Sequence, residues 1–430
     1  MTSSSLPLTQ ILLAVPAVVL TCQLGGAVFR RLGQPPVIGE IAMGIALGPS
    51  LFGALWPEGQ HWLLSSSTTP FLDGLGQLGL LSFMFLIGTE LDLATLRGHS
   101  RTALAVSQVS IALPAVCGAL LALAMYGPLA PKGVGRTPFV LFIAVSMSIT
   151  AFPVLARILA DRGLTGTPLA ALAIACAAVD DVAAWCLLAV VVAIAGSGSA
   201  LDALTTAALA ASFLLAMLYV VRPLLALWVR RATQPRDGLV LALLFSGACL
   251  ASLATDEIGV HSLFGAFVFG TIVPRDSPTV ARSTTRLGAF VVPVLLPLFF
   301  VQTGLRTNFG LLGDNASAWL WAGAILIVAA FGKWGGSALT ARLTGRSWRD
   351  SLTIGALMNC RGLTELVVLN IGLDLGVISS EVFTMLVLMA LITTVATSPA
   401  LALLHHGAPT STDLPLRDRS TKQGTAKTPV

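Results

Sequence analysis

Apolar stretches long enough to cross a bilayer recur along this chain almost from end to end, and they decide what it can fold into. A spanning helix needs about 20 predominantly apolar residues, and inside lipid each backbone polar group must find its partner within the protein. Only 10% of the residues are charged and 55% are hydrophobic, whereas soluble domains carry about 25% charged residues. Mean hydropathy is +0.87. The chain reads as an all-α polytopic membrane protein set in a lipid bilayer. An isoelectric point near 9.1 would otherwise suggest nucleic acid. Here the basic residues sit in short loops between apolar runs, the pattern that orients membrane helices, so no nucleic-acid partner is expected.

Thirteen candidate spans follow, at about 8–32, 37–56, 71–93, 102–126, 139–159, 166–195, 203–229, 239–253, 259–273, 287–305, 316–343, 351–375 and 382–404. With the N-terminus outside, the inside loops and adjoining helix ends collect fifteen arginines, and the tail adds Arg417, Arg419, Lys422 and Lys427. The outside loops hold Lys132, Arg136 and Arg306 alone. That asymmetry predicts N-out, C-in topology. One transmembrane domain over 1–406 is expected, with inverted halves at about 8–195 and 239–404 and a disordered cytoplasmic tail at 407–430. The first apolar run lacks a basic leader and a small-residue cleavage site, so it reads as a retained helix. The six cysteines lie in apolar runs without C-x-x-C spacing and read as small buried hydrophobes. No cofactor is implied.

Spans 5 and 12 share an irregularity. "SMSITAFPVLAR" (146–157) places Ser148, Thr150 and Pro153 in mid-span, and "LMNCRGLTELVV" (357–368) places Asn359, Arg361, Gly362 and Glu365 there. A proline by itself can simply kink a membrane helix. Two interrupted helices seven spans apart, hence oppositely directed, instead point to a transporter built from inverted repeats with its site at the midplane.

Charges within spans need a reason, since each costs about 3 kcal/mol or more at mid-bilayer. Asp180 and Asp181 stand in "AAVDDVAAW", Lys333 in "AAFGKWGG", and Arg361 and Glu365 are spaced to pair along one helix face. For that last pair, a structural salt bridge and a direct role in transport remain equally open. Adjacent aspartates on a helix diverge by about 100°, so one can face a cavity while the other faces a neighbouring helix. This also argues against an intramembrane aspartyl protease, which needs carboxylates on facing helices; no enzyme is expected. A carboxylate is a hard oxygen ligand suited to Na⁺ or K⁺ and can take up a proton in its place. Glu40, Glu90 and Asp92 are placed near interfaces, His261 at a helix end, and "GIALG" (44–48) at a close helix contact.

Six segments in order, "LGQPPVIGEIAMGIALGPS", "SITAFPVLARIL", "AAVDDVAAWCLLA", "GVHSLFGAFVFGTIVP", "LPLFFVQTGLRT" and "MNCRGLTELVVLNIGL", resemble the monovalent cation:proton antiporter superfamily. The branch is the one shared by bacterial Na⁺(K⁺)/H⁺ exchangers and plant-type cation/H⁺ exchangers. The resemblance covers about 32–404. It implies a sodium/proton antiporter-like fold with two broken helices crossing at the ion site, a core domain and a dimerisation domain, hence a homodimer, moving by elevator-like alternating access in the cell membrane. It implies that Asp181 carries the cation or proton, with Ser148 and Thr150 beside it. It further implies that Asp180 pairs with Lys333, and that two protons exchange for one cation, which is electrogenic. Arg361, Glu365, Asn359 and Pro153 would support the broken helices. No long C-terminal regulatory domain is expected, which departs from the resemblance and argues against gating of the potassium-efflux type; a channel-like, loosely proton-coupled K⁺ efflux system stays the alternative reading.

Overall fold

The structure, a computed structural model, describes residues 6–90, 101–164, 167–196, 200–231, 237–313 and 315–405. The expectations for Asp92 and for the tail at 407–430 concern residues outside that set. Every element among the described residues is helical. Helix α1 (Leu6–Arg31) and α2 (Pro36–Ala46) form a hairpin, and the small helices α3 (Phe52–Leu55) and α4 (Pro57–Leu63) lead into α5 (Thr69–Glu90). Gly33 makes the first reversal with φ of 71°, a left-handed conformation open to glycine, and Pro36 begins α2 where its missing N–H is harmless. Helix α6 (Arg101–Leu129) precedes the interrupted pair α7 (Arg136–Ser148) and α8 (Phe152–Asp161), followed by α9 (Pro168–Gly196). Helix α10 (Ala200–Ala216) runs through a π-turn at Met217–Val221 into α11 (Arg222–Arg231).

Next come α12 (Asp237–Ile258), α13 (Ser262–Ile272) and α14 (Pro278–Phe290), the last continuing through a π-turn at Val291–Leu295 into α15 (Leu296–Arg306). Side chains cap several of these starts: His261 accepts from the Leu263 N–H at α13, and Ser277 from the Val280 N–H at α14. Helix α16 (Ala316–Ala330) passes through a third π-turn, Phe331–Gly335, into α17 (Gly336–Leu343). The second interrupted pair, α18 (Trp348–Met358) and α19 (Leu363–Asp374), precedes α20 (Ser380–His405).

Each of the thirteen stretches read from the sequence holds a helix, but among the described residues they do not make up thirteen full spans. Ten helices among the described residues are long and apolar enough to cross, or eleven if the bent pair α18–α19 counts as one. The shortfall is α2 and α13, each of 11 residues. At 1.5 Å per residue each rises about 16 Å, half of a hydrocarbon core of about 30 Å. Cysteine burial also differs from expectation: Cys22, Cys176 and Cys360 are buried, Cys117 and Cys249 half-buried, and Cys186 exposed.

The helices pack in two groups. Helices α1, α2, α5 and α12–α15 lie against one another, and so do α6–α9 with α16–α20; α2 meets α20 where the groups adjoin. Within the first group, α2 and α15 approach through glycine. A Cβ on Gly304 would stand 2.1 Å from the Gly44 carbonyl oxygen, and one on Gly44 would stand 2.6 Å from backbone atoms of Phe300. The "GIALG" stretch thus serves contact within one chain. Gly304→Ala should lower thermal stability in detergent by about 1–3 kcal/mol, because backbone cannot yield as a side chain does; an unchanged melting temperature would show that the helices have slack.

Candidate functional site

The two interruptions meet. Helix α7 ends at Ser148 and α8 starts at Phe152, with Ile149 and Ala151 in extended conformation. Helices α18 and α19 bend by 41° across residues 359–362. The Ala151 N–H donates to the Cys360 carbonyl at 3.0 Å, tying one break to the other. Pro153 falls in the first turn of α8, where it forfeits no helical bond.

A broken helix leaves carbonyls at its C-terminal end without partners, and the membrane interior has little water to supply them. Two buried cations do so here. Arg361 donates to the carbonyls of Ser146 (2.8 Å) and Met147 (2.7 Å), while Lys333 Nζ donates to that of Ser148. Both cations lie at the negative end of the α7 dipole. Glu365 accepts from Arg361 at 2.9 Å and from the Ser146 hydroxyl at 2.6 Å, so the Arg361–Glu365 pair fastens α19 to α7. Thr394 of α20 holds the break from behind, accepting from the Arg361 N–H at 3.0 Å and donating to the Arg361 carbonyl at 2.7 Å.

Asp180 and Asp181 sit in α9, each with 1% exposure, and their surroundings differ. Asp180 is saturated. Ser107 donates to Oδ1 at 3.1 Å, while Ser110 (2.7 Å), Thr150 (2.8 Å) and Lys333 Nζ (3.2 Å) donate to Oδ2. Lys333, fully buried on the π-turn, spends its three donors on Asp180 and on the carbonyls of Ser110 (3.0 Å) and Ser148. A π-turn shifts the helix register by one residue and is common at functional positions.

Asp181 faces the breaks. The backbone N–H of Phe152 meets its carboxylate, and Oδ1 is buried without a hydrogen-bond partner among the described residues. The Asn359 amide oxygen at the other break is likewise buried and unpartnered. Around the crossing the buried charges are Asp180, Asp181 and Glu365 against Lys333 and Arg361. With every group ionised, one carboxylate lacks a counter-charge. The ion pairs Lys333–Asp180 and Arg361–Glu365 leave Asp181 as that carboxylate. An unpaired buried carboxylate is costly, so Asp181 has to take a proton or a cation.

Other residues singled out from the sequence lie elsewhere. The Ser148 hydroxyl bonds back to the Ala144 carbonyl at 2.6 Å, so Ser148 meets Lys333 through its backbone. The Thr150 hydroxyl donates to Asp180 and lies 3.2 Å from the Met358 carbonyl, bridging the two breaks. Glu40 is buried on α2, in the first helix group, beside Ile41, which shares a small cavity wall with Arg361 and Gly362 of the second break. Ser107 and Ser110, unnoticed in the sequence, carry their signal in their spacing of three, which puts both on one face of α6.

Two cavities open in the seam between the helix groups. One of about 670 Å³ is walled by α5, α8, α14 and the segment between α13 and α14; it includes Glu90, Arg157 and Arg275, with Pro153 in its wall next to Phe152. The other, of about 380 Å³, lies between α5, α15 and α19 and includes His261, Gln302, Arg306 and Asp374.

The Asp180–Lys333 contact makes a stability prediction. Removing one partner of a buried ion pair typically costs about 3–5 kcal/mol, so Lys333→Gln should lower the melting temperature in detergent. Asp180→Asn should then destabilise less in the Lys333→Gln background than in the parent, because the two losses share one interaction. Strict additivity would mean the pair contributes nothing as a pair.

Comparison with known proteins agrees with this architecture. Residues 17–404 match the family described as "Sodium/hydrogen exchanger, transmembrane". The chain is 42% identical to Na(+)/H(+) antiporter NhaS4 of Synechocystis, over 90% of this chain and 95% of that protein. It is 39% identical to Cation/H(+) antiporter 20 of Arabidopsis thaliana (93% of this chain, 49% of that one). It is 35% identical to K(+)/H(+) antiporter 1 of Saccharomyces cerevisiae (94% and 47%). The chain thus spans about half the length of these plant and yeast relatives. The structure of the sodium proton antiporter MjNhaP1 from Methanocaldococcus jannaschii superposes with a TM-score of 0.65, covering 93% of this chain and all of that one; at 16% identity the likeness shows the fold. A family match across nearly the whole helical region, on a bundle whose two broken helices meet beside buried aspartates, makes this chain a multi-pass member of the sodium/hydrogen exchanger family of antiporters.

Proposed function

We propose that this protein is a secondary antiporter exchanging H⁺ for Na⁺ or K⁺, with Asp181 as the group that carries either ion. The observation that carries this reading is the buried Asp181 oxygen without a partner, in a cluster one positive charge short. A cation at Asp181 would find further oxygen at Asn359 and at backbone carbonyls freed by the breaks. Antiport follows from competition. Proton and cation each neutralise the same carboxylate, both together would overcharge the cluster, and crossing with neither would drag a bare carboxylate through lipid.

Asp180 and Lys333 give the second proton. A cation arriving at Asp181 also draws on the neighbouring Asp180 carboxylate and so competes electrostatically with Lys333, which releases a proton as the cation comes to serve both aspartates. Two protons then exchange for one cation, and each cycle moves net charge. The division into two helix groups with cavities toward opposite ends of α5 supports elevator-like motion, one group carrying the crossing past the other. The arginine asymmetry supports an N-out, C-in orientation in the cell membrane, which puts the Arg157 cavity inside and the Arg306 cavity outside. The first helix group, with its long exposed helix α1, supplies the homodimer interface.

Asp181→Asn should insert and fold normally, since an amide fits the space and removes an unpaired charge, yet abolish cation-driven proton movement in proteoliposomes. Near-normal exchange by that variant would remove Asp181 from the mechanism. Lys333→Gln has a distinct expected phenotype: residual exchange that no longer responds to an imposed potential, where moving one charge is worth about 2.3 kcal/mol per 100 mV. A voltage response equal to the parent's would assign the second proton to another group.

A further inference from the structure

The cavity between α15 and α19 contains polar groups that the crossing does not use. Arg306, at the end of α15, donates to Asp374 at 2.6 Å and to the Asn370 amide oxygen at 3.2 Å, both on α19. Asn370 in turn donates to the Thr303 hydroxyl at 2.9 Å, back on α15. These bonds join the two helix groups. Asp73 on α5 also lies within electrostatic reach of Arg306. In the same cavity Gln302 is 8% exposed and makes no side-chain hydrogen bond among the described residues. Asp256 lines the wall as well, without an ion-pair partner within that set.

The guanidinium of Arg306 therefore occupies a carboxylate and an amide oxygen as a tethered cation would, beside the buried Gln302 amide and a second, exposed carboxylate, Asp256. We propose that this cavity is a second monovalent-cation subsite, on the outer path to the crossing. Arg306 holds it closed, and an arriving cation opens it by taking Asp374 from the guanidinium. The inference rests on the antiport reading for the identity of the ion and on the orientation given above for which side is outer. The pair is partly hydrated, with side-chain exposures of 28% and 56%, and pairs of that kind contribute little to stability. A weak latch suits a step that must reverse in every cycle.

The test is thiol labelling of Ser262→Cys, in the wall of the same cavity, by a membrane-impermeant reagent added outside. The parent chain with its six cysteines sets the background. Na⁺ or K⁺ should accelerate labelling relative to choline at equal ionic strength. Adding Arg306→Gln should raise the choline rate at least about threefold and erase the cation effect, as expected for loss of a weak latch. Asp374→Asn should also raise the choline rate; it releases the same latch and serves where Arg306→Gln does not fold. The joint reversal Arg306→Asp with Asp374→Arg should restore slow labelling. A choline rate unchanged by either single variant, or equal acceleration by choline and Na⁺ or K⁺, would overturn the proposal. Labelling needs no proton flux, so cation-dependent labelling in a protein that fails to exchange would refute the antiport reading and leave the subsite standing.

Discussion

The ends of a helix broken inside a membrane must be satisfied, and the rest of this structure depends on how that is done. Interrupting α7–α8 exposes carbonyls in a medium that offers few other donors. Arg361, in the second break, and Lys333, on the π-turn between α16 and α17, reach those of Ser146, Met147 and Ser148. Each cation then requires an anion, which Glu365 and Asp180 supply. Backbone interruption, buried cations and buried carboxylates are thus successive answers to one problem.

Asp181 is the member that this chain of compensation does not reach. Its neighbour Asp180 accepts from Ser107 at Oδ1 and from Ser110, Thr150 and Lys333 at Oδ2. The difference follows from helix geometry: adjacent side chains diverge by about 100°, so one turns toward α6 and Lys333 while the other turns toward the breaks. On the antiport reading proposed above, the bracing carboxylate and the ion-carrying one are consecutive residues. The arrangement explains the economy of the site, since the pair that braces the fold also responds electrostatically to whatever binds next door.

Much of this was legible in the sequence because charge in an apolar run is rare. Asp180, Asp181, Lys333, Arg361 and Glu365 all stood out that way, and the breaks announced themselves through Thr150, Pro153, Asn359 and Gly362. Ser107, Ser110 and Thr394 did not stand out, because hydroxyls in membrane helices commonly bond back to their own backbone, as Thr393 does with Met389. The role of Thr150 was legible as an oxygen near the site, while its choice of Asp180 as partner depends on tertiary packing. A count of thirteen full spans is not reached among the described residues, because α2 and α13 are each only 11 residues long. Beyond α13 the chain turns polar at Arg275 and Asp276, while the apolar stretch that begins with α2 is divided between that helix and the short α3.

The measurement that bears most directly on the account is the balance point of exchange by the unaltered protein in proteoliposomes with the membrane potential held at zero. A tenfold gradient of any ion stores about 1.4 kcal/mol. If Asp181 and Lys333 each release a proton per cation, a tenfold cation gradient will be balanced by a proton gradient of about half a pH unit in the same direction, the cation-rich side being the more acidic. Balance at about one full unit would mean one proton per cation, and would contradict a mechanism in which Lys333 supplies the second.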